Sequence, residues 1–169
     1  YHAGPRFALY SRIRLTTNAE ESLDRMLRGA WEFPARPVVE AGPWGPSIHP
    51  ELLGPLPNTS TRIGTVTTMT EKSSAITFQT DATVPTILLI KDTVYPGWKA
   101  FVDGAAVPIL PANISARAIP LSAGSHRVDL RYEPQSLRIG LVASVLTSFS
   151  LVVAATIIGV RRLWFRLDF

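Results

Sequence analysis

Three features of the 169-residue sequence predict a mainly β fold: a β-sandwich with a small α/β segment at its N-terminus and one transmembrane helix at its C-terminus. From Ile139 to Val160, 22 consecutive residues carry no charge and no proline. At ~1.5 Å per residue a helix of that length reaches ~33 Å, enough for a hydrocarbon core of ~30 Å. From Ile63 to Tyr132, short β-branched runs alternate with turn residues at the spacing of a sandwich or barrel. Ahead of both, one amphipathic helical stretch stands between two short β-forming runs. The implied organisation is 1–57 for a strand, helix, strand segment with a proline-rich loop, 58–136 for the sandwich, 137–162 for the membrane helix and 163–169 for a tail.

Phe7 to Leu15 mixes β-formers with approximate alternation, Leu9, Ser11, Ile13 and Leu15 falling on one face, which predicts one strand. A helix follows. Asn18 is placed to cap it, Glu20 and Glu21 lie in the first turn where the macrodipole favours anions, and Leu23, Met26 and Leu27 repeat at i, i+3, i+4 as a packing face. Gly29 closes it. Val38 to Ala41 is a second strand, expected to pair with the first.

Between Pro34 and Pro57 lie seven of the 14 prolines, with Gly42, Gly45 and Gly54 among them, a composition that removes backbone donors. A long ordered loop or a linker is expected. Trp44 is its one large aromatic. It either tucks the loop against the domain's own core, without which so long a loop would be disordered, or docks on a partner or a sugar.

The strands expected beyond it are Ile63–Thr70, Ser74–Thr80, Thr86–Lys91, Trp98–Val102, Ala106–Leu110, Ala116–Ile119 and Arg127–Tyr132. Val128, Leu130 and Tyr132 oppose Arg127, Asp129 and Arg131, so the last has one buried face. Ile87 to Ile90 is apolar on both faces and belongs centrally, between layers. Asp103-Gly104 fits a type I′ hairpin, in which both central residues need positive φ. That turn is a sufficient reason for Asp103, and a catalytic role beside Lys99 and Asp92 is the weaker reading. Ser122-Ala123-Gly124-Ser125 is a looser turn. Asn58-Thr59-Ser60 and Asn113-Ile114-Ser115 match the glycosylation sequon, which carries little meaning in a bacterial protein.

The apolar stretch is followed by Arg161 and Arg162, then Trp164 and Phe165, cations and amphipathic rings suited to the headgroup boundary. Gly140, Ala143, Ser144, Thr147 and Ser148 make one side of the helix small and weakly polar, a candidate face for close approach of another helix. The competing reading is that its hydroxyls bond their own i−4 carbonyls. Positive charge is balanced across the stretch. Long domains translocate largely regardless of charge, whereas the tail Arg161–Phe169 holds three arginines, so the tail is the better cytoplasmic candidate and the large domain lies outside.

The net charge of +4 arises mostly from residues 125–169, where six arginines face Asp129, Glu133 and Asp168, a placement that suits phospholipid headgroups rather than nucleic acid. With no cysteine, disulfides, thiolate catalysis, Cys-ligated zinc and iron–sulfur clusters are excluded for this chain. His2, His49 and His126 are dispersed, show no metal-ligand spacing and read as ordinary surface residues. No cofactor is expected. The chain opens on Tyr1 without an initiator methionine or a signal-like segment, so either a signal was removed or the chain belongs to a longer polypeptide.

The block Tyr95-Pro96-Gly97-Trp98-Lys99-Ala100-Phe101-Val102-Asp103-Gly104, following an apolar strand, resembles the carboxy-terminal region of the YfhO-like bacterial membrane proteins. Val107-Pro108-Ile109, Ala112-Asn113, Ile119 to His126, Val128 to Pro134 and the final helix agree with it, as do Pro5-Arg6-Phe7-Ala8 and the helix with Glu20, Glu21 and Leu23. The resemblance covers nearly the whole chain. It implies an extracytoplasmic β-sandwich tethered by a last helix to the bacterial cytoplasmic membrane, in polytopic proteins similar to GT-C-type glycosyltransferases that use lipid-linked sugar donors. Their catalytic carboxylate would sit in an early extracytoplasmic loop, and no position here matches it. Within the block, Pro96 and Gly97 allow a sharp turn that folds Tyr95 and Trp98 onto the sandwich edge, with Lys99 and Asp103 toward solvent. Trp98 is alternatively a sugar-stacking ring.

Two functional readings follow. In the first, the chain is a non-catalytic, single-pass accessory subunit that packs its β-domain and helix on a larger membrane complex, with respiratory or photosynthetic assemblies as hosts that no residue selects. In the second, it is the terminal piece of a YfhO-like glycosyltransferase. A free-standing carbohydrate-binding module rests on Trp44 and Trp98 alone.

Overall fold

The computed structural model describes residues 5–28, 36–42, 48–54 and 63–167. The chain forms two compact units, Tyr1–Glu133 and Pro134–Phe169. The first is mainly β. Its strands are β1 (Phe7–Tyr10), β2 (Arg14–Thr16), β3 (Val38–Glu40), β4 (Gly64–Lys72), β5 (Ala75–Ala82), β6 (Thr86–Ile90), β7 (Trp98–Val102), β8 (Ala105–Val107), β9 (Leu110–Ala112), β10 (Ala116–Leu121) and β11 (Gly124–Tyr132). A helix, α1 (Ala19–Arg28), lies between β2 and β3, and a 3-10 turn covers Pro50–Leu53. One sheet has the order β1-β6-β10-β9-β3-β2 and the other β4-β5-β11-β7-β8.

The strand expected over Phe7–Leu15 is two strands. β1 pairs with β6 and β2 pairs with β3, at opposite edges of the six-stranded sheet. A flat sheet of six strands would separate its edges by ~24 Å, whereas the chain from Tyr10 to Arg14 reaches at most ~14 Å. The sheet therefore curls into a half-barrel. Its concave side is filled by Ile13, Val39, Ile87, Leu89, Leu110 and Ala118, and by Ile48 and Leu52 from the proline-rich region. The N–H of Ile13 donates to the Leu52 carbonyl at 2.9 Å, so this described part of the loop closes the open side of the curl.

The other core lies between the sheets. Phe78, Ile76, Val128, Leu130 and Ala100 of the five-stranded sheet meet Leu88, Ile90, Ile119 and Leu121 of the six-stranded one. β6 belongs to both cores: Ile87 and Leu89 point into the curl, Leu88 and Ile90 between the sheets, and all five of its residues are buried. The alternation of a strand thus serves two layers, as its uninterrupted apolar run requires.

The single strand expected over Ala106–Leu110 also divides. β8 pairs with β7 in one sheet and β9 with β10 in the other, the change falling at Pro108, which has no N–H to donate to a ladder. At Asp103-Gly104 both residues have positive φ, 50° and 86°, and Val102 faces Ala105 across a two-residue turn. The type I′ geometry expected there is present.

The strand, helix, strand unit is built into the curled sheet, with β2 and β3 parallel across α1. Asn18 Oδ1 accepts the N–H of Glu21 at 2.8 Å, and Glu21 accepts from the Thr17 N–H at 2.9 Å, so the helix start is capped as expected. The packing face differs. Leu23 and Leu27 are exposed, at 47% and 72%, whereas Ser22 is fully buried with its hydroxyl 2.7 Å from that of Thr16. A small side chain permits closer approach of helix to sheet than Leu23 and Leu27, which face away, whereas Met26 of the expected face is half-buried. Gly29 and Trp44 lie outside the described residues, as does Asn58. Asn113 sits at φ 47° and its carboxamide oxygen accepts the Val38 N–H at 2.9 Å, so this sequon asparagine fastens the β9–β10 turn to β3.

The second unit is the helix α2 (Gln135–Leu167), 33 residues that include Arg161, Arg162, Trp164 and Phe165 in its last turns. Gln135–Ile158 is long and apolar enough to cross a membrane, with a mean hydropathy of 2.3 over its most apolar stretch. Among the described side chains of Gln135–Ile158, the large apolar ones are exposed, Leu141, Val145, Phe149 and Val152 among them. Ser144, Thr147 and Ser150 donate to the carbonyls of Gly140, Ala143 and Leu146 at 2.8–2.9 Å, which satisfies their hydroxyls within the helix.

Candidate functional site

Two adjoining recesses open where β7 begins. One, about 570 Å³, is lined by Arg6, Glu71, Lys72, Ser73, Asp92 and Trp98 among others. The other, about 340 Å³, is lined by Ser73, Thr93, Tyr95, Trp98, Arg117 and Tyr132. Ser73 and Trp98 belong to both. The turn before Trp98 is set by Gly97 at φ 104°, a conformation that follows Pro96 in a type II turn and favours glycine. Trp98 and Tyr132 face each other across β7 and β11 with ring centroids 5.5 Å apart.

Sequence reasoning brought Tyr95 and Trp98 to this place, with different roles. Trp98 is half-buried and packed, whereas Tyr95 is 62% exposed and stands on the rim rather than folding onto the sheet. Lys99 and Asp103 are exposed, as expected.

Sequence reasoning missed Arg117. It is only 4% exposed, on β10 between Ala116 and Ala118, and its guanidinium lies 4.6 Å over the Trp98 ring. Its Nε donates to the Asp92 carbonyl at 3.4 Å, its Nη2 lies 3.6 Å from the Asp92 carboxylate, and its Nη1 has no hydrogen-bond partner. A guanidinium carries five N–H donors, and one long bond satisfies few of them. Burial pushes the Arg117 pKa down, against the pull of Asp92. The sequence did hold a signal, a charged residue inside the apolar run Ala116 to Ile119.

Asp92 is committed elsewhere. Arg6 grips it with two bonds, Nε to Oδ1 at 2.8 Å and Nη2 to Oδ2 at 2.7 Å, and also bonds Glu71. The Arg6 bonds hold the Asp92 carboxyl below the usual carboxylate range, and those to Asp92 and Glu71 push the Arg6 pKa further up. The result is a chain of alternating charge, Glu71, Arg6, Asp92, Arg117, that ends on the buried and weakly bonded guanidinium.

At the far end of the five-stranded sheet the β7–β8 and β10–β11 turns meet, because β7 and β11 are antiparallel. There His126 is not the free surface residue expected. Its Nδ1 lies 2.6 Å from Asp103 Oδ2 and its Nε2 2.9 Å from Ser122 Oγ, while Asp103 Oδ1 accepts the Arg127 N–H at 2.8 Å. These contacts hold the Asp103 carboxyl below its ordinary value, that with His126 foremost. Asp103 serves both as turn residue and as the staple between two turns. Among the described residues no group of His, Cys, Asp and Glu is arranged to hold a metal.

The class these observations define is a two-sheet β-domain with an aromatic, arginine-floored recess, in a chain with one helix able to span a membrane. Compared with known proteins, the chain matches no family model, no curated sequence and no solved structure.

Proposed function

We propose that this chain is a non-catalytic, membrane-anchored module whose β-domain lies outside the cytoplasm of a bacterium and serves a larger membrane protein complex, with α2 as its tether in the cytoplasmic membrane. The observation that carries this reading is the fate of the Tyr95–Gly104 block. Its aromatic end walls a surface recess and its acidic end closes a hairpin, so the most distinctive stretch of the sequence shapes a surface and a turn. Three arginines in the tail Arg161–Phe169 support a cytoplasmic C-terminus.

Two experiments test it. Gentle solubilisation of the native membrane followed by native electrophoresis should find the chain migrating with larger partners; migration alone, as a monomer, refutes the reading. Because the chain has no cysteine, Thr67→Cys gives one exposed thiol. A membrane-impermeant thiol reagent should label it in intact cells, and labelling only after lysis refutes the orientation.

A second reading is favoured by the likeness of that block and its neighbours to the YfhO-like proteins: the module is the carboxy-terminal part of a polytopic glycosyltransferase, and the complex it serves is its own chain. Reading the gene upstream of Tyr1 separates the two. Many membrane helices there support the second, and a short signal sequence supports the first.

A further inference from the structure

We propose that the recess walled by Tyr95, Trp98, Tyr132 and Arg117 binds an acidic sugar, its ring against the exposed tyrosines and its oxyanion on the Arg117 guanidinium. Three independent features converge there. First, Arg117 is a buried cation whose Nη1 lacks a partner and whose nearest carboxylate oxygen stands 3.6 Å away. Asp92 attracts it but leaves its donors unfilled, the carboxylate oxygens being taken at 2.7 and 2.8 Å by Arg6. A buried donor in that state favours an anionic acceptor strongly, and a planar guanidinium suits the paired oxygens of a carboxylate or phosphate.

Second, the rings differ in exposure in a way that fits a ring-shaped ligand. Trp98 is half-buried beneath the Arg117 guanidinium, whereas Tyr95 and Tyr132 are 62% and 37% exposed. An aromatic with an apolar face and a polar tip offers a sugar both the C–H contact and the hydroxyl partner it needs. Third, Ser73 and Thr93 add exposed hydroxyls to the same wall. At about 340 Å³ the recess lies near the lower end of ligand-site sizes, ~300–1,000 Å³, and so takes a short stretch of glycan. Trp98 orients the guanidinium from the other side through their contact at 4.6 Å.

The shared chemistry, a sugar ring beside an oxyanion, arises from a uronic acid or from a sugar phosphate. Isothermal titration calorimetry on the full chain in lipid nanodiscs distinguishes these, with tetragalacturonate, glucose 6-phosphate, maltotetraose and inorganic phosphate as titrants. One of the first two should bind at least ~10-fold more tightly than maltotetraose, the factor that one charge-assisted hydrogen bond supplies, and more tightly than phosphate, which lacks the ring that the tyrosines meet. Arg117→Lys keeps the charge and loses the fork, and should weaken the acidic ligand by roughly tenfold while leaving maltotetraose unchanged. Tyr95→Ala, at an exposed position, should weaken it with no change in unfolding temperature.

Equal affinity for maltotetraose overturns the proposal, as does phosphate binding as well as either acidic sugar, no binding by any titrant, or an unchanged affinity in Tyr95→Ala. The proposal rests on the reading of the β-domain as a binding module, and the two fail separately. A chain that migrates in a complex and binds no sugar loses this proposal alone; a lone monomer that binds acidic sugar loses the other.

Discussion

Replacing Arg117 by methionine should leave the β-domain as stable as before or make it more stable, although the residue is only 4% exposed. The guanidinium makes one hydrogen bond, at 3.4 Å, close to the limit of a useful contact and worth well under ~1 kcal/mol. Its position over Trp98 contributes about 1–2 kcal/mol. Against these stands the removal of a cation from water, which after relaxation still costs several kcal/mol. An unbranched apolar side chain of similar length fills the same space without that penalty, and the balance falls between zero and ~2 kcal/mol in favour of the variant. Asp92→Asn is the contrasting change. It breaks the two-bond grip of Arg6 and leaves Arg117 with no anion nearby, which should destabilise by about 3 kcal/mol. For a domain of this size roughly 4 °C accompanies each kcal/mol. Thermal unfolding of the full chain in detergent, followed by circular dichroism, should therefore show Arg117→Met at or above the parent and Asp92→Asn about 10 °C below it. If Arg117→Met falls as far as Asp92→Asn, the guanidinium is a structural tie and the account of it as a poorly satisfied cation is wrong.

Phe78 is fully buried between the sheets with its ring 4.8 Å from that of Phe7, so Phe78→Ala should lower stability by about 3–5 kcal/mol in urea titration. Gly97→Ala forces a side chain to φ 104°, a strain of about 1–3 kcal/mol that should appear as a lower unfolding temperature and a changed near-ultraviolet signal from Trp98. The Asp103 carboxyl is held below its ordinary value in the folded protein, so its contribution is complete above the unfolded carboxylate range and is lost as pH falls through the folded value. The stability difference between the parent and Asp103→Asn should accordingly shrink as pH falls below ~4, measured by urea titration between pH ~5 and pH ~3.

Much of the β-domain was legible because a strand repeats every two residues. Trp98–Val102 was placed to the residue, and the apolar run at Ile87–Ile90 announced a strand with a core on either side. The Asp103-Gly104 turn was legible because two successive positive φ values leave few residue choices. Less legible was where a run divides. Nothing local to Phe7–Leu15 says that its halves pair at opposite edges of one sheet, and the partner of β1 lies some eighty residues away. For α1 the leucine repeat was visible but misleading, since the helix is seated by the small and polar Ser22. Of the recess, the sequence named the aromatic rim at Tyr95 and Trp98. Its arginine floor was hidden in a strand that otherwise reads as core.

By itself, then, the sequence determined a β-rich domain, its turns, its capped helix and one apolar stretch able to cross a bilayer, because each of these is fixed by residues near one another in the chain. The tertiary structure alone decided the curl of the six-stranded sheet, the stapling of Asp103 by His126 and the burial of Arg117 over Trp98. Those depend on strand order and register, which bring together residues tens of positions apart and so leave no periodic trace in any one segment.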